Sequence, residues 1–116
     1  MALYYNKKIV AKQIVYCDTI WRKGTGLMFR NKSSVDNTAW IFSFKNSRRV
    51  SVTMFFVFFS IDIVFLDKKN RIVELKENFK PFQNYTSKNK MYSFIELKSG
   101  TIKRYSIKVG DRVSII

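Results

Sequence analysis

The stretch Ile61-Asp62-Ile63-Val64-Phe65-Leu66-Asp67-Lys68-Lys69-Asn70-Arg71-Ile72-Val73 decides the fold class. A β-branched and aromatic run is broken by a short polar segment and then resumes. Such side chains suit the pleated surface of a strand, and the polar break lets the chain reverse. The segment predicts a strand over Ile61–Leu66, a hairpin loop at Asp67–Asn70 and a return strand over Arg71–Leu75. The loop holds no glycine, so a loop longer than a two-residue primed turn is expected. The most apolar stretch, Val52 to Leu66, contains Asp62 and falls short of the ~20 residues a spanning helix requires.

Similar signals extend in both directions. Leu3–Tyr5 and Ile9–Val10 read as short strands around an Asn6-Lys7 turn, and Ile14–Tyr16 as another. Asp18 or Thr19 can cap a short helix through Ile20-Trp21-Arg22 that stops near Gly24 or Gly26, because a side-chain oxygen accepts from a first-turn amide. Asn31 to Thr38 reads as a loop, followed by strands at Trp40–Phe44 and Arg49–Met54. Lys76 to Met91, mostly polar around Pro81, is expected to be a long mobile loop. Tyr92–Leu97 is a strand, Gly100–Tyr105 a turn or short helix, and Gly110-Asp111 a turn before a last strand at Arg112–Ile116. The expectation is one mainly β domain over residues 1–116: a compact antiparallel β-barrel or sandwich-like barrel with one or two short helices.

Composition narrows the function classes. There are 22 Lys and Arg against eight Asp and Glu, a net charge of +14, and no histidine. That excess attracts nucleic acid, anionic membrane surfaces or acidic proteins. The cations come in scattered pairs such as Arg48-Arg49 and Lys68-Lys69, so the charge reads first as a solvated basic surface and second as a dedicated nucleic-acid site. Without histidine there is no Ser-His-Asp or Cys-His arrangement. One cysteine, Cys17, excludes an internal disulfide and a thiolate zinc site, and reads as a small buried hydrophobe. No metal, cofactor or membrane partner is expected. The N-terminus lacks the apolar core of a signal peptide, so a cytoplasmic location is expected.

Two features stand out. Asp62 and Glu96 both lie in apolar strands, where burial raises a carboxylate's pKa and would suit acid–base work, although such groups more often pair with a cation or face solvent. The run Phe55-Phe56-Val57-Phe58-Phe59 is the other. Alternation would send some rings outward, which suits either a crowded barrel corner or a surface for a ligand or a second copy through Phe55, Phe56, Phe58 and Phe59.

Several motifs in order are similar to a known family. Gly26-Leu27-Met28-Phe29-Arg30, Ala39-Trp40-Ile41-Phe42-Ser43-Phe44, Ile61 to Asp67, Ile95-Glu96-Leu97 with Gly100, and Gly110-Asp111 with Val113 resemble the signature of domain of unknown function 192. The resemblance implies a compact β-barrel-like fold and no assigned activity. It points to Arg30, Asp62, Glu96 and Asp111 as polar positions of interest, with Met28 and Met54 lining the same region and Gly26, Gly100 and Gly110 as structural positions. One departure is informative: Thr53-Met54-Phe55-Phe56-Val57 stands where the family has Trp-Met-Lys-Asn-Thr, and Ser60 where it has proline. A polar patch has become apolar. Arg30 offers a fork that could pair with Asp62. The resulting expectation is a non-enzymatic β-barrel domain binding a small ligand or protein partner near Met28, Arg30, Met54, Asp62 and Glu96. The alternatives are a nucleic-acid-binding module and a carboxylate-dependent enzyme.

Overall fold

A computed structural model describes residues 1–17, 27 and 30–116. Its strands are β1 (Leu3–Tyr5), β2 (Lys8–Ala11), β3 (Gln13–Cys17), β4 (Thr38–Arg48), β5 (Ser51–Thr53), β6 (Ile61–Leu66), β7 (Ile72–Phe79), β8 (Asn84–Thr86), β9 (Met91–Lys98) and β10 (Val113–Ile115). A 3-10 turn spans Lys32–Val35, and the short helix α1 spans Thr101–Arg104. The helix expected from Asp18, together with Gly26 and Met28, lies outside the described residues.

The strands form a five-stranded sheet in the order β3-β4-β9-β6-β7, a three-stranded sheet β10-β1-β2 and a two-stranded ribbon β5-β8. β6 is buried along its whole length because it is covered on both faces, which is why its sequence is apolar almost without alternation. On one face Val64, Leu66, Ile95 and Leu97 pack with Leu3, Tyr5, Val113 and Ile102, joining the central sheet to the three-stranded sheet and α1. On the other, Ile61, Ile63, Phe65 and Phe94 pack with Val50, Val52, Met54 and Phe59, joining it to the ribbon side. The buried Cys17 thiol belongs to this second core, as a small hydrophobe would.

The mainly β reading holds, in its sandwich-like form. The barrel does not: the sheets are not closed on one another, because the strands divide among three layers. Nor is pairing wholly antiparallel. β3 runs parallel to β4, with Gln13 opposite Thr38 and Cys17 opposite Phe42, after a crossover long enough to permit it.

The deciding hairpin forms as expected. The Asp67 carboxylate Oδ1 accepts from the amides of Lys69 at 2.8 Å and Arg71 at 2.9 Å, and Asn70 takes φ 62°, so no glycine is required. Two expectations are corrected. The segment 76–91 is not one loop: it holds the end of β7 and all of β8, with polar residues on the wet side of those strands. The phenylalanine run is not a strand: Val57 N–H donates to Met54 C=O at 3.1 Å and Phe56 has φ 57°, so the chain turns there.

Candidate functional site

Asp62 and Glu96 sit on neighbouring strands but on opposite faces. In the β6–β9 register Asp62 lies opposite Leu97, and Ile63 lies opposite Glu96. Side chains alternate along a strand, so one carboxylate enters each core. They share no pocket, and the paired-carboxylate enzyme loses its premise.

Asp62 is a structural brace. It is fully buried, its Oδ1 accepts from Asn78 N–H at 2.9 Å, and its Oδ2 accepts from Ile102 N–H at 2.9 Å. The carboxylate thus ties β7 and the first turn of α1 to β6, and it satisfies the Ile102 amide, which would otherwise be buried without a partner. The pairing of Asp62 with Arg30 is not formed. The Arg30 guanidinium lies 4.7 Å from the Trp40 ring centroid, in a cation–π arrangement on the other face.

Glu96 faces that same side, directly opposite Trp40 on β4. Trp40 is held in place by its indole Nε1, which donates to Ser34 C=O at 2.8 Å. Glu96 is 5% exposed, and burial pushes its carboxyl up to about 8, so it carries a proton at neutral pH. No hydrogen bond reaches it from the described residues.

Glu74, which the sequence reading missed, is the opposite case. Its carboxylate accepts from the amides of Lys88 at 2.8 Å and Asn89 at 2.9 Å, from the Asn89 side chain at 3.1 Å, and from the Tyr85 hydroxyl. Burial alone would raise its pKa, but the Tyr85, Asn89 and Lys88 donors outweigh burial and lower it. Burial and the same carboxylate push the Tyr85 phenol up to about 12. No spacing rule could have flagged Glu74, because its partners follow it by more than ten residues in a segment read as loop.

The remaining candidates divide. Asp111 accepts from the Tyr5 hydroxyl, which also accepts from Lys108 N–H at 3.1 Å, closing the molecule's two ends together. Gly100 and Gly110 have φ 92° and 98° with open space where a Cβ would stand, so conformation rather than room selects glycine. Met54 is buried, and its backbone clamps two loops: its amide donates to Gln83 C=O at 2.8 Å, and its carbonyl accepts from Phe82 N–H at 2.9 Å. Above that clamp sits an aromatic patch. Phe55, Phe58 and Phe82 are 52%, 62% and 51% exposed. Phe82 approaches Phe55 at 6.1 Å, Phe56 at 6.2 Å and Phe58 at 5.5 Å between centroids, all edge to face. Phe59, expected in this surface, is 7% exposed and belongs to the core; Phe82, distant in sequence, takes the place at the surface.

A separate cleft of about 480 Å³ lies between the β2–β3 corner and α1, lined by Lys12, Asn37, Arg104 and Tyr105, with Lys98 3.4 Å from Asp36. Of the expected site residues among those described, only Gly100 borders it. Among the described residues no cluster of three or more acidic or thiol side chains could hold a metal ion.

The sequence profile of the DUF192 family, described as Uncharacterized ACR, matches residues 3–115. The chain belongs to this family. A UPF0127 protein of Thermococcus sibiricus is 30% identical over 108 residues, covering 91% of this chain and 68% of that protein. One from Pyrococcus abyssi is 27% identical over 104 residues, covering 90% and 86%. The chain spans 62% of a further relative from Thermococcus gammatolerans. Two solved structures share the fold, each with a TM-score of 0.80. One, from Sinorhizobium meliloti 1021, is provisionally described as a transcription regulator and is 24% identical, over 87% of this chain and 79% of that one. The other, a protein of unknown function from Novosphingobium aromaticivorans, is 23% identical, over 88% and 74%. At these identities the likeness establishes the family fold alone.

Proposed function

We propose that this DUF192 chain is a non-catalytic β-sandwich that acts by docking, and that its docking surface is the patch of Phe55, Phe56, Phe58 and Phe82. One observation carries the reading: these rings meet at the surface from two separate loops, held by the Met54 backbone, with three of them about half exposed. Contiguous exposed apolar surface costs free energy in water and marks contact sites more often than scattered single residues do. The carboxylates support a non-catalytic role. Asp62, Glu74 and Asp111 are committed to holding backbone and tyrosine groups, and Glu96 lies across the sheet from Asp62.

A neutral apolar dye such as Nile red tests this. Its fluorescence should rise with the native protein and fall back with Phe55→Ser/Phe58→Ser/Phe82→Ser, while far-UV circular dichroism stays unchanged. An equal response from both proteins would reject the patch as the contact surface.

A further inference from the structure

We propose that the patch docks on an anionic lipid bilayer, inserting its rings at the surface without crossing it. This rests on the docking role above and assigns its partner. Three observations lead there.

The first is charge. From Asn37 to Ile61, and again from Asn78 to Ile95, there is no acidic residue, while Lys45, Arg48, Arg49, Lys80, Lys88 and Lys90 supply six cations. These two stretches contain both aromatic loops and both strands of the ribbon. Lys80 shares the Phe82 turn, where Gln83 N–H donates to Lys80 C=O at 3.3 Å. Arg49 and Lys88 flank the opposite end of the ribbon, where Val50 and Ser87 exchange hydrogen bonds of 2.9 and 2.7 Å. Four residues of strand separate the two ends, about 13 Å. All six cations are exposed. Of the two carboxylates on β7, Glu74 is buried against Tyr85 and Asn89, and Glu77 is exposed three residues before Lys80, where six cations outnumber it.

The second is area. Three rings about half exposed, at roughly 200 Å² each, offer on the order of 300 Å² of apolar surface. A stable protein interface takes about 800 Å² per partner. A second copy would also bring another +14 charge to the contact. A bilayer needs no matching area: apolar side chains enter the acyl boundary while Lys and Arg remain among anionic headgroups.

The third is ring geometry. A single-stranded nucleic acid would use ring faces as stacking platforms. Here Phe82 makes edge-to-face contacts with Phe55, Phe56 and Phe58, which occupies faces and leaves an apolar knob rather than a row of open platforms. No helix among the described residues is long and apolar enough to cross a membrane, so the contact is one of lying on the surface.

The experiment is co-sedimentation of the full chain with vesicles of phosphatidylcholine alone and of phosphatidylcholine with phosphatidylglycerol. Binding to the anionic vesicles should exceed binding to the neutral ones by about tenfold or more and weaken as salt rises. It should drop by about tenfold in Phe55→Ser/Phe58→Ser/Phe82→Ser, and by a similar factor in Arg48→Gln/Arg49→Gln/Lys88→Gln. Spin-labelled lipid should broaden the amide resonances of residues 54–59, 80 and 82–84 of the wild-type protein first, a readout that needs no variant. No binding at low salt overturns the assignment, as does binding indifferent to the phenylalanines, or broadening centred elsewhere. So does oligo-deoxythymidine binding that depends on the same phenylalanines, or dimerisation that the triple substitution abolishes. If the dye binds at the patch but vesicles do not, only the lipid assignment fails; if neither binds, the docking role fails with it.

Discussion

Glu74 and Glu96 occupy the same face of the same sheet, one opposite Phe65 and the other on the strand next to Ile63, and they are 7% and 5% exposed. Both side chains are nearly covered from solvent, but Glu96 lies deeper among packed atoms; the Glu74 carboxyl is lowered from its ordinary value and that of Glu96 is raised to about 8. Two things differ: the depth of burial and the supply of donors. Glu74 sits beneath the Lys88–Asn89 backbone and the Tyr85 phenol, which replace the water it lost. Glu96 sits beside Trp40, whose only polar side-chain atom is already spent on Ser34. Depth of burial and the donors within reach together set the ionisation of each carboxyl.

Removing Glu74 should have the largest effect. Glu74→Ala leaves two amides and a phenol without their acceptor, and should cost about 3–5 kcal/mol in urea unfolding. A loss below about 1 kcal/mol would put the comparison in error.

The pH dependence of Glu96 comes next. Its folded carboxyl stays protonated to about 8, whereas in the unfolded chain it ionises near the ordinary glutamate value of 4.5. The folded state binds the extra proton between those values, so the Glu96 contribution is fully present below about 4.5 and is lost as pH rises through about 8. Urea midpoints should record a decline on the order of 2–4 kcal/mol between them. Glu96→Gln should flatten that slope and be the more stable protein at alkaline pH. Glu74 has the opposite sign: its contribution is present above the ordinary carboxylate range and fades as pH falls through its depressed folded value.

Asp62→Asn sharpens the comparison further. One acceptor oxygen survives for the two amides of Asn78 and Ile102, so a loss of about 1–3 kcal/mol is expected, with hydrogen exchange at Ile102 accelerated before that of the β6 amides. The smallest change is Tyr85→Phe, which removes a single donor. It should cost about 1 kcal/mol and move the Glu74 titration, followed by NMR, upward toward its ordinary value.

Much of the scaffold was legible. The β6–β7 hairpin, the Asn6-Lys7 turn with φ 51° and 64°, and the final turn at Gly110 all follow from local composition and turn chemistry. The site was less legible. Asp62 and Glu96 looked alike, as single carboxylates in apolar runs, because a strand pattern reveals burial on a face but not which donors the other layer brings to it. The phenylalanine run showed that something apolar would be exposed, but not that Phe59 would turn inward and Phe82 replace it.

By itself, the sequence determined the mainly β class, most strand positions, the family and the excess of positive charge. Each of these depends on residues close together in the chain or on simple counting. Tertiary structure alone decided that the sheets stay open as a sandwich, that β3 runs parallel to β4, and that Asp62 and Glu96 face opposite cores. It alone gathered an aromatic patch from two loops. Those outcomes depend on register and on which layer packs where, and they are set by contacts between residues tens of positions apart.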